Sequence, residues 1–309
     1  MARLTEEAAG VYIISATPFA ENGALDLESA ERLVDFYLGH GVAGITVLGM
    51  MGEAPKLSPV EARMFLERVL VRVAGRVPVV VGVSNPDLDA LTRLAGVAMD
   101  AGAAGVMVAP RAGLEGDEAI LGYMGEVCRR LGPEVPLVYQ DFPLVTRAPI
   151  TADGFARLVE AEPSVVMLKH EDWPGLEKLS AVRAEAERRG VRRVAILTGN
   201  GGLYLPQELA RGADGAMTGF AFPEMLVEVV ARHRAGEADA AEDLFDLYLP
   251  LVRHEQQPGF GLAVRKEVLR RRGAIASAHV RQPGPVLDAA GHAELDRLMA
   301  RLERRLAAR

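Results

Sequence analysis

Eight short, β-branched apolar runs alternate with longer amphipathic stretches along this 309-residue chain, and that alternation limits its fold more than any other feature. The runs are Val11–Thr17, Gly44–Leu48, Val77–Val83, Gly105–Ala109, Pro136–Gln140, Val165–Lys169, Val194–Thr198 and Asp214–Thr218. Most are continuously apolar, as expected of parallel strands covered on both faces. The intervening segments, such as Leu27 to Leu38 and Pro59 to Val73, carry helical spacing. Ser58-Pro59-Val60-Glu61 supplies a cap, a first-turn proline and an acid where a helix should start. The phrases HGVAGI, DAGAAGV and ARGADGA each end a helix on glycine and turn into the next strand. Eight strands separated by helices within about 220 residues fit an α/β chain closed as a (β/α)8 TIM barrel. A doubly wound open sheet is the alternative, but no Gly-x-Gly-x-x-Gly turn follows the first run. After Phe222 the strands stop, and residues 224–235, 237–253, 259–272 and 289–308 read as helices. The expected organisation is a barrel over 1–223 with a small C-terminal helical extension, 224–309, packed on it.

Half the residues are hydrophobic and a quarter charged, which suits a globular chain with a large core. Net charge is -7 with both signs interspersed, so no basic face invites nucleic acid. The cluster Arg270, Arg271 and Arg272 reads as the solvated end of a helix. Cys128, the only cysteine, excludes an intrachain disulfide and a cysteine metal site, and its amphipathic surroundings suggest a buried thiol. The N-terminal MARLTEEAAG lacks an apolar signal core, and no apolar run is long enough to span a membrane. A cytoplasmic protein is expected. His170 and His254 read as structural, no His/carboxylate spacing suggests a metal, and no cofactor is expected.

In a barrel of this kind, chemistry belongs at the C-terminal ends of strands, and three polar features fall there. Lys169 closes the run Ser164-Val165-Val166-Met167-Leu168-Lys169. Desolvation at the end of an apolar strand favours the neutral amine, which is the form that attacks a ketone. The alternative is a lysine whose charge is paired with Glu171 or Asp172, or reaches solvent. Tyr139 ends the fifth run in Val138-Tyr139-Gln140-Asp141, where a phenol could pass protons. It could equally cap the barrel core with its hydroxyl satisfied. Gly49-Met50-Met51-Gly52-Glu53 follows the second run, and its glycines would let backbone N–H groups face an anion. Glu53 reads as a tie for that loop.

Together these pieces resemble the dihydrodipicolinate synthase/N-acetylneuraminate lyase family of class I aldolase-type barrels, over nearly the whole chain from Thr17-Pro18-Phe19 onward. The family's glycine loop, strand-five tyrosine and strand-six lysine correspond to Gly49–Glu53, Tyr139 and Lys169. The resemblance implies that Lys169 forms an imine with a 2-oxo acid, that Tyr139 shuttles protons, and that the Met51 and Gly52 amides hold the carboxylate. It places Met50, Gly199, Met217 and Thr218 around the same pocket. Hydroxyl residues common in the glycine loop are replaced by Met50 and Met51, and the family's Tyr-Asn-x-Pro phrase becomes Tyr139-Gln140-Asp141-Phe142-Pro143. The Gln140-Asp141 phrase and the His254-Glu255 segment followed by Gly259 look closer to members acting on 2-oxo-3-deoxy sugar acids as dehydratases or aldolases than to the synthase proper. Arg111, Gln140 and Asn200 are candidates for binding the distal part of such a substrate; so is Asp141.

Two other classes stand beside the Schiff-base lyase. One is a metal-dependent barrel lyase, with a Lewis acid in place of the imine. The other is a non-catalytic barrel that only binds a 2-oxo acid. Relatives of this kind are commonly tetramers or dimers, so a homotetramer or homodimer is expected.

Overall fold

The computed structural model describes residues 3–308; the first two residues and the last, which the sequence reading includes in the barrel and the helical extension, lie outside the described residues. Eight parallel strands follow one another around a closed barrel: β1 (Gly10–Ile14), β2 (Gly44–Val47), β3 (Val79–Gly82), β4 (Gly105–Val108), β5 (Leu137–Asp141), β6 (Val165–His170), β7 (Ala195–Thr198) and β8 (Gly215–Ala216). The helices are α1 (Leu27–Gly39), α2 (Pro59–Val73), α3 (Leu88–Asp100), α4 (Gly116–Leu131), α5 (Pro143–Thr146), α6 (Ala152–Ala161), α7 (Gly175–Arg189), α8 (Leu205–Ala210), α9 (Pro223–Arg234), α10 (Ala238–Glu255), α11 (Gly261–Arg271) and α12 (Ala289–Ala307). The TIM barrel read from the alternating runs is the fold.

Strand ends differ from the apolar runs where the chain leaves the sheet to build the mouth. β1 stops at Ile14, and the Thr17 hydroxyl donates to Gly52 O at 2.6 Å across the mouth. β8 spans only two residues, yet Met217 N still donates to Thr198 O and Ile14 N to Thr218 O, both at 2.8 Å. At α2, Ser58 and Glu61 form the reciprocal cap that their spacing announces. Cys128 is buried in α4, and burial pushes its thiol up to about 12. Helix α9 packs on β1, so an element grouped with the extension from sequence helps to enclose the barrel.

Side-chain direction divides the core in two. Outward residues, among them Ile45, Val81, Val106, Leu137, Leu168 and Ile196, pack under the helices. Inward residues, among them Tyr12, Ile14, Val80, Met107, Val138, Met167, Ala195, Leu197 and Met217, fill the barrel. The filling depends on small partners: Tyr12 lies in register with Gly44, whose missing Cβ leaves the room its ring occupies. One irregularity interrupts the alternation. Leu137 pairs with Val165 and Val138 with Met167, so Val166 is an extra residue in β6. Val166 and Met167 consequently both face inward, Leu168 faces out, and Lys169 faces in.

The C-terminal helices grip the mouth through buried ion pairs. Lys266 Nζ on α11 lies 2.5 Å from Glu53 Oε1, and both groups are buried. Glu53 Oε2 also takes Lys56 Nζ at 3.0 Å and the backbone N–H of Arg281 at 3.0 Å. Glu53 therefore ties the glycine loop to the extension. Replacing Lys266 with methionine leaves that carboxylate short of its buried partner, and the expected loss is about 3 kcal/mol of unfolding free energy. Urea denaturation measures it; a loss below about 1 kcal/mol would contradict the tie.

Candidate active site

Lys169 enters the barrel because of the β6 bulge, and its pairing fixes its neighbours. It stands in register with Gln140 on β5 and Leu197 on β7, so Gln140 faces the same interior. Its Nζ lies 2.9 Å from Glu171 Oε2, and the same oxygen accepts the Gln140 amide Nε2–H at 2.7 Å. Lys169 and Glu171 are only 5% and 8% exposed, so this is a nearly dry triad of ammonium, carboxylate and amide. In that setting each charge needs the other. The pairing foreseen for Lys169 is thus with Glu171, while Asp172 takes Lys178 at 2.7 Å instead.

Glycine at 199 makes room for the carboxylate. A Cβ there would collide with the Cγ, Cδ and Oε1 of Glu171. Around this wedge, Asn200 Nδ2 donates to Glu171 O at 3.2 Å, and Gly201 N donates to the Thr218 hydroxyl at 2.7 Å. Met217 is fully buried in the barrel filling. The glycine loop covers the other side, where Met51 packs against the interior cluster and Met50 is 40% exposed. Gly52 N–H donates to Gly49 O at 3.0 Å within the loop's own turn. Of the two amides expected to receive a carboxylate, that one is already engaged.

Tyr139 requires a correction. It pairs with outward-facing Leu168, belongs to the cluster beneath the helices, and its ring packs 5.8 Å from that of Phe155 on α6. On a β-strand adjacent residues face opposite sides, so Gln140 in the barrel forces Tyr139 out of it. Its hydroxyl is buried with no hydrogen-bond partner among the described residues, and burial raises the phenol well above its ordinary value. A proton shuttle to Lys169 is not available from this position. Arg111 likewise stands apart: it is exposed in the loop after β4, and its charge acts on the Tyr123 phenol of α4. Asp141 also faces outward, 2.6 Å from Lys178 Nζ and 3.8 Å from His170 Nδ1. His170 Nε2 meets Gly175 O at 2.8 Å, so both residues brace the layer behind the pocket. Burial opposes the imidazolium, but the Asp141 and Gly175 contacts outweigh it and raise the His170 pKa.

Two features escaped the sequence reading. Glu171 figured there only as a charge partner, because it lies past the strand end where no periodicity assigns a direction. Thr46, in register with Ile14 and Val80, faces the interior with its hydroxyl buried and unpartnered among the described residues. An isolated threonine in an apolar run was the one signal for it.

A closed parallel barrel with a buried amine at the end of β6 defines an aldolase-type lyase barrel. The chain belongs to the dihydrodipicolinate synthetase family, whose model matches residues 7–302. It is a Schiff-base lyase of that family. It is 31% identical to L-2-keto-3-deoxyarabonate dehydratase of Azospirillum brasilense, over 95% of this chain and 94% of that protein. It is 29% identical to 4-hydroxy-tetrahydrodipicolinate synthase of Methanococcus vannielii, over 79% of this chain and 82% of that one. The crystal structure of dihydrodipicolinate synthase from Rhodopseudomonas palustris superposes with a TM-score of 0.95 at 48% identity, covering 97% of this chain and 100% of that chain.

If the Tyr139 hydroxyl is an unpaired group in the helix layer, Tyr139→Phe should not destabilise the protein. The expected change is a gain of up to about 1 kcal/mol, read from thermal unfolding. A loss of more than about 1 kcal/mol would mean that the hydroxyl is bonded.

Proposed function

We propose that this barrel forms an imine between Lys169 and the C2 carbonyl of a 2-oxo-3-deoxy sugar acid and dehydrates it. The observation that carries this reading is the amine itself: a buried lysine, turned inward at the C-terminal end of a barrel strand and held by a carboxylate. Such an amine gives up its proton locally, attacks the ketone and turns C2 into an electron sink. The likeness to the Azospirillum dehydratase over nearly the full length of both chains supports the substrate class. The polar groups of Gln140, Asn200, Thr218 and Thr46, together with the Met51 amide, suit a short polyhydroxy acid. The second reading, dihydrodipicolinate synthase proper, fits the same family and the 48% identity to the Rhodopseudomonas structure, and no feature of the site favours it.

The chemistry belongs to residues 1–223 in this reading, with 224–309 bracing the mouth; the Glu53–Lys266 pair supports that division of labour. A cytoplasmic homotetramer or homodimer completes the proposal. Among the described residues no helix is long and apolar enough to cross a membrane. Sedimentation showing monomer alone at micromolar concentration would contradict the assembly.

The reading is tested by incubating the protein with pyruvate or a 2-oxo-3-deoxy pentonate and borohydride. Mass spectrometry should find the reduced adduct on Lys169, insensitive to EDTA. Lys169→Ala and Lys169→Arg should abolish labelling and turnover, since guanidinium remains charged and forms no imine. Tyr139→Phe should keep both within about threefold of wild type, because its ring lies outside the barrel; a proton shuttle would be worth 100-fold or more. Labelling that survives Lys169→Arg would refute the assignment.

A further inference from the structure

We infer that Glu171, held by Gln140 and admitted by Gly199, is the acid–base catalyst of this barrel, in the role that a tyrosine cannot fill here. The inference rests on the Lys169 imine proposed above and deepens it. Three observations point to the same carboxylate. Its Oε2 lies 2.9 Å from Lys169 Nζ, the atom that becomes the imine nitrogen. The Gln140 amide donates to that oxygen at 2.7 Å, which orients the carboxylate without supplying a proton of comparable acidity. Oε1 lies over Gly199, in space that any Cβ at that position would fill. The Tyr139 phenol is turned into the helix layer against Phe155.

In the Lys169–Glu171 pair the carboxylate takes one ammonium proton, and the neutral amine adds to C2. The carbinolamine hydroxyl leaves as water with the proton that Glu171 returns, and a protonated imine forms. Glu171, again a carboxylate, removes a proton from C3, and the C–H electron pair moves toward C2 to give the enamine. The enamine expels the C4 hydroxyl, which departs as water with the same proton, and C3 and C4 become doubly bonded in conjugation with the iminium. One carboxyl group thus carries the proton from C3 to the leaving oxygen, so that the step has no net proton demand. A carboxyl group is acidic enough to protonate a departing hydroxyl and, as its anion, basic enough to take an acidified C3 proton.

Pyruvate separates imine formation from proton transfer, because its enamine can only return to pyruvate. In deuterated water the wild-type protein should exchange the pyruvate methyl hydrogens, followed by proton NMR, and borohydride should label Lys169. Glu171→Gln preserves shape and a hydrogen bond to Gln140. It should still label Lys169 with borohydride, though more slowly, and should lose methyl exchange by about 100-fold or more. Glu171→Asp, with the carboxylate withdrawn by one methylene, should recover part of the exchange. Gly199→Ala, which pushes the carboxylate aside without removing it, should reproduce the exchange defect even if Glu171→Gln does not fold. Exchange within about threefold of wild type in a folded, labelled Glu171→Gln protein would overturn the role of Glu171 while leaving the imine intact. Absence of both labelling and exchange in the wild type would overturn the imine itself, and this proposal with it.

Discussion

A single extra residue in β6 decides what this barrel can do. With strict alternation from Val165, which faces the helices, Lys169 would also face them. The bulge at Val166 shifts the phase by one, and the lysine enters the interior beside Gln140 and Leu197. Bulges bend a strand locally and re-aim the side chains that follow. Here the cost of one unpaired ladder position is accepted in the middle of the sheet, where both flanking strands hold the bulged strand in place.

Once the amine is inside, the rest of the mouth is constrained to serve it. A buried ammonium needs a counter-charge, which Glu171 supplies; a buried carboxylate needs further donors and space, which Gln140 and Gly199 supply. A second set of buried charges holds the opposite wall. Glu53 is shared between Lys266, Lys56 and the Arg281 amide, and the Lys266 ammonium also lies 4.6 Å from the centre of the Phe19 ring. Arg265 pairs with Glu255 and donates to Gly219 O at 2.6 Å, joining α10 and α11 to the chain just past β8. The helical extension is therefore part of the frame around the barrel mouth, although no side chain on it touches Lys169 among the contacts described.

Much of this was legible in the residues. Continuous β-branched runs ended by glycine turns lead to eight parallel strands and hence to a barrel, and Ser58 with Glu61 marks the start of α2. The place of Lys169 at the end of a strand was legible from its apolar run, and Glu53 as a tie from its place in a glycine loop. The direction of side chains was not legible. A parallel strand buried on both faces has no polar side to fix its phase, so Val138-Tyr139-Gln140 reads equally well with either parity. Tyr139 was assigned inward by its likeness to a family motif; the pairing of Gln140 with Lys169 turns it outward. The β6 bulge was equally hidden, since Val166 is one valine among several and its extra place emerges only from the register with β5. Gly199 carried no local signal of its purpose, because the side chain that needs the space, that of Glu171, lies just past the end of another strand.

The decisive measurement is a crystal structure of the protein reduced with borohydride in the presence of pyruvate. Density should run continuous from Lys169 Nζ into a pyruvyl group inside the barrel, with a Glu171 carboxylate oxygen as the nearest acid–base atom to its C3 and the Tyr139 ring still packed on Phe155. An adduct with Tyr139 rotated into the barrel beside it, or with Glu171 turned away to solvent, would rule out Glu171 as the acid–base group.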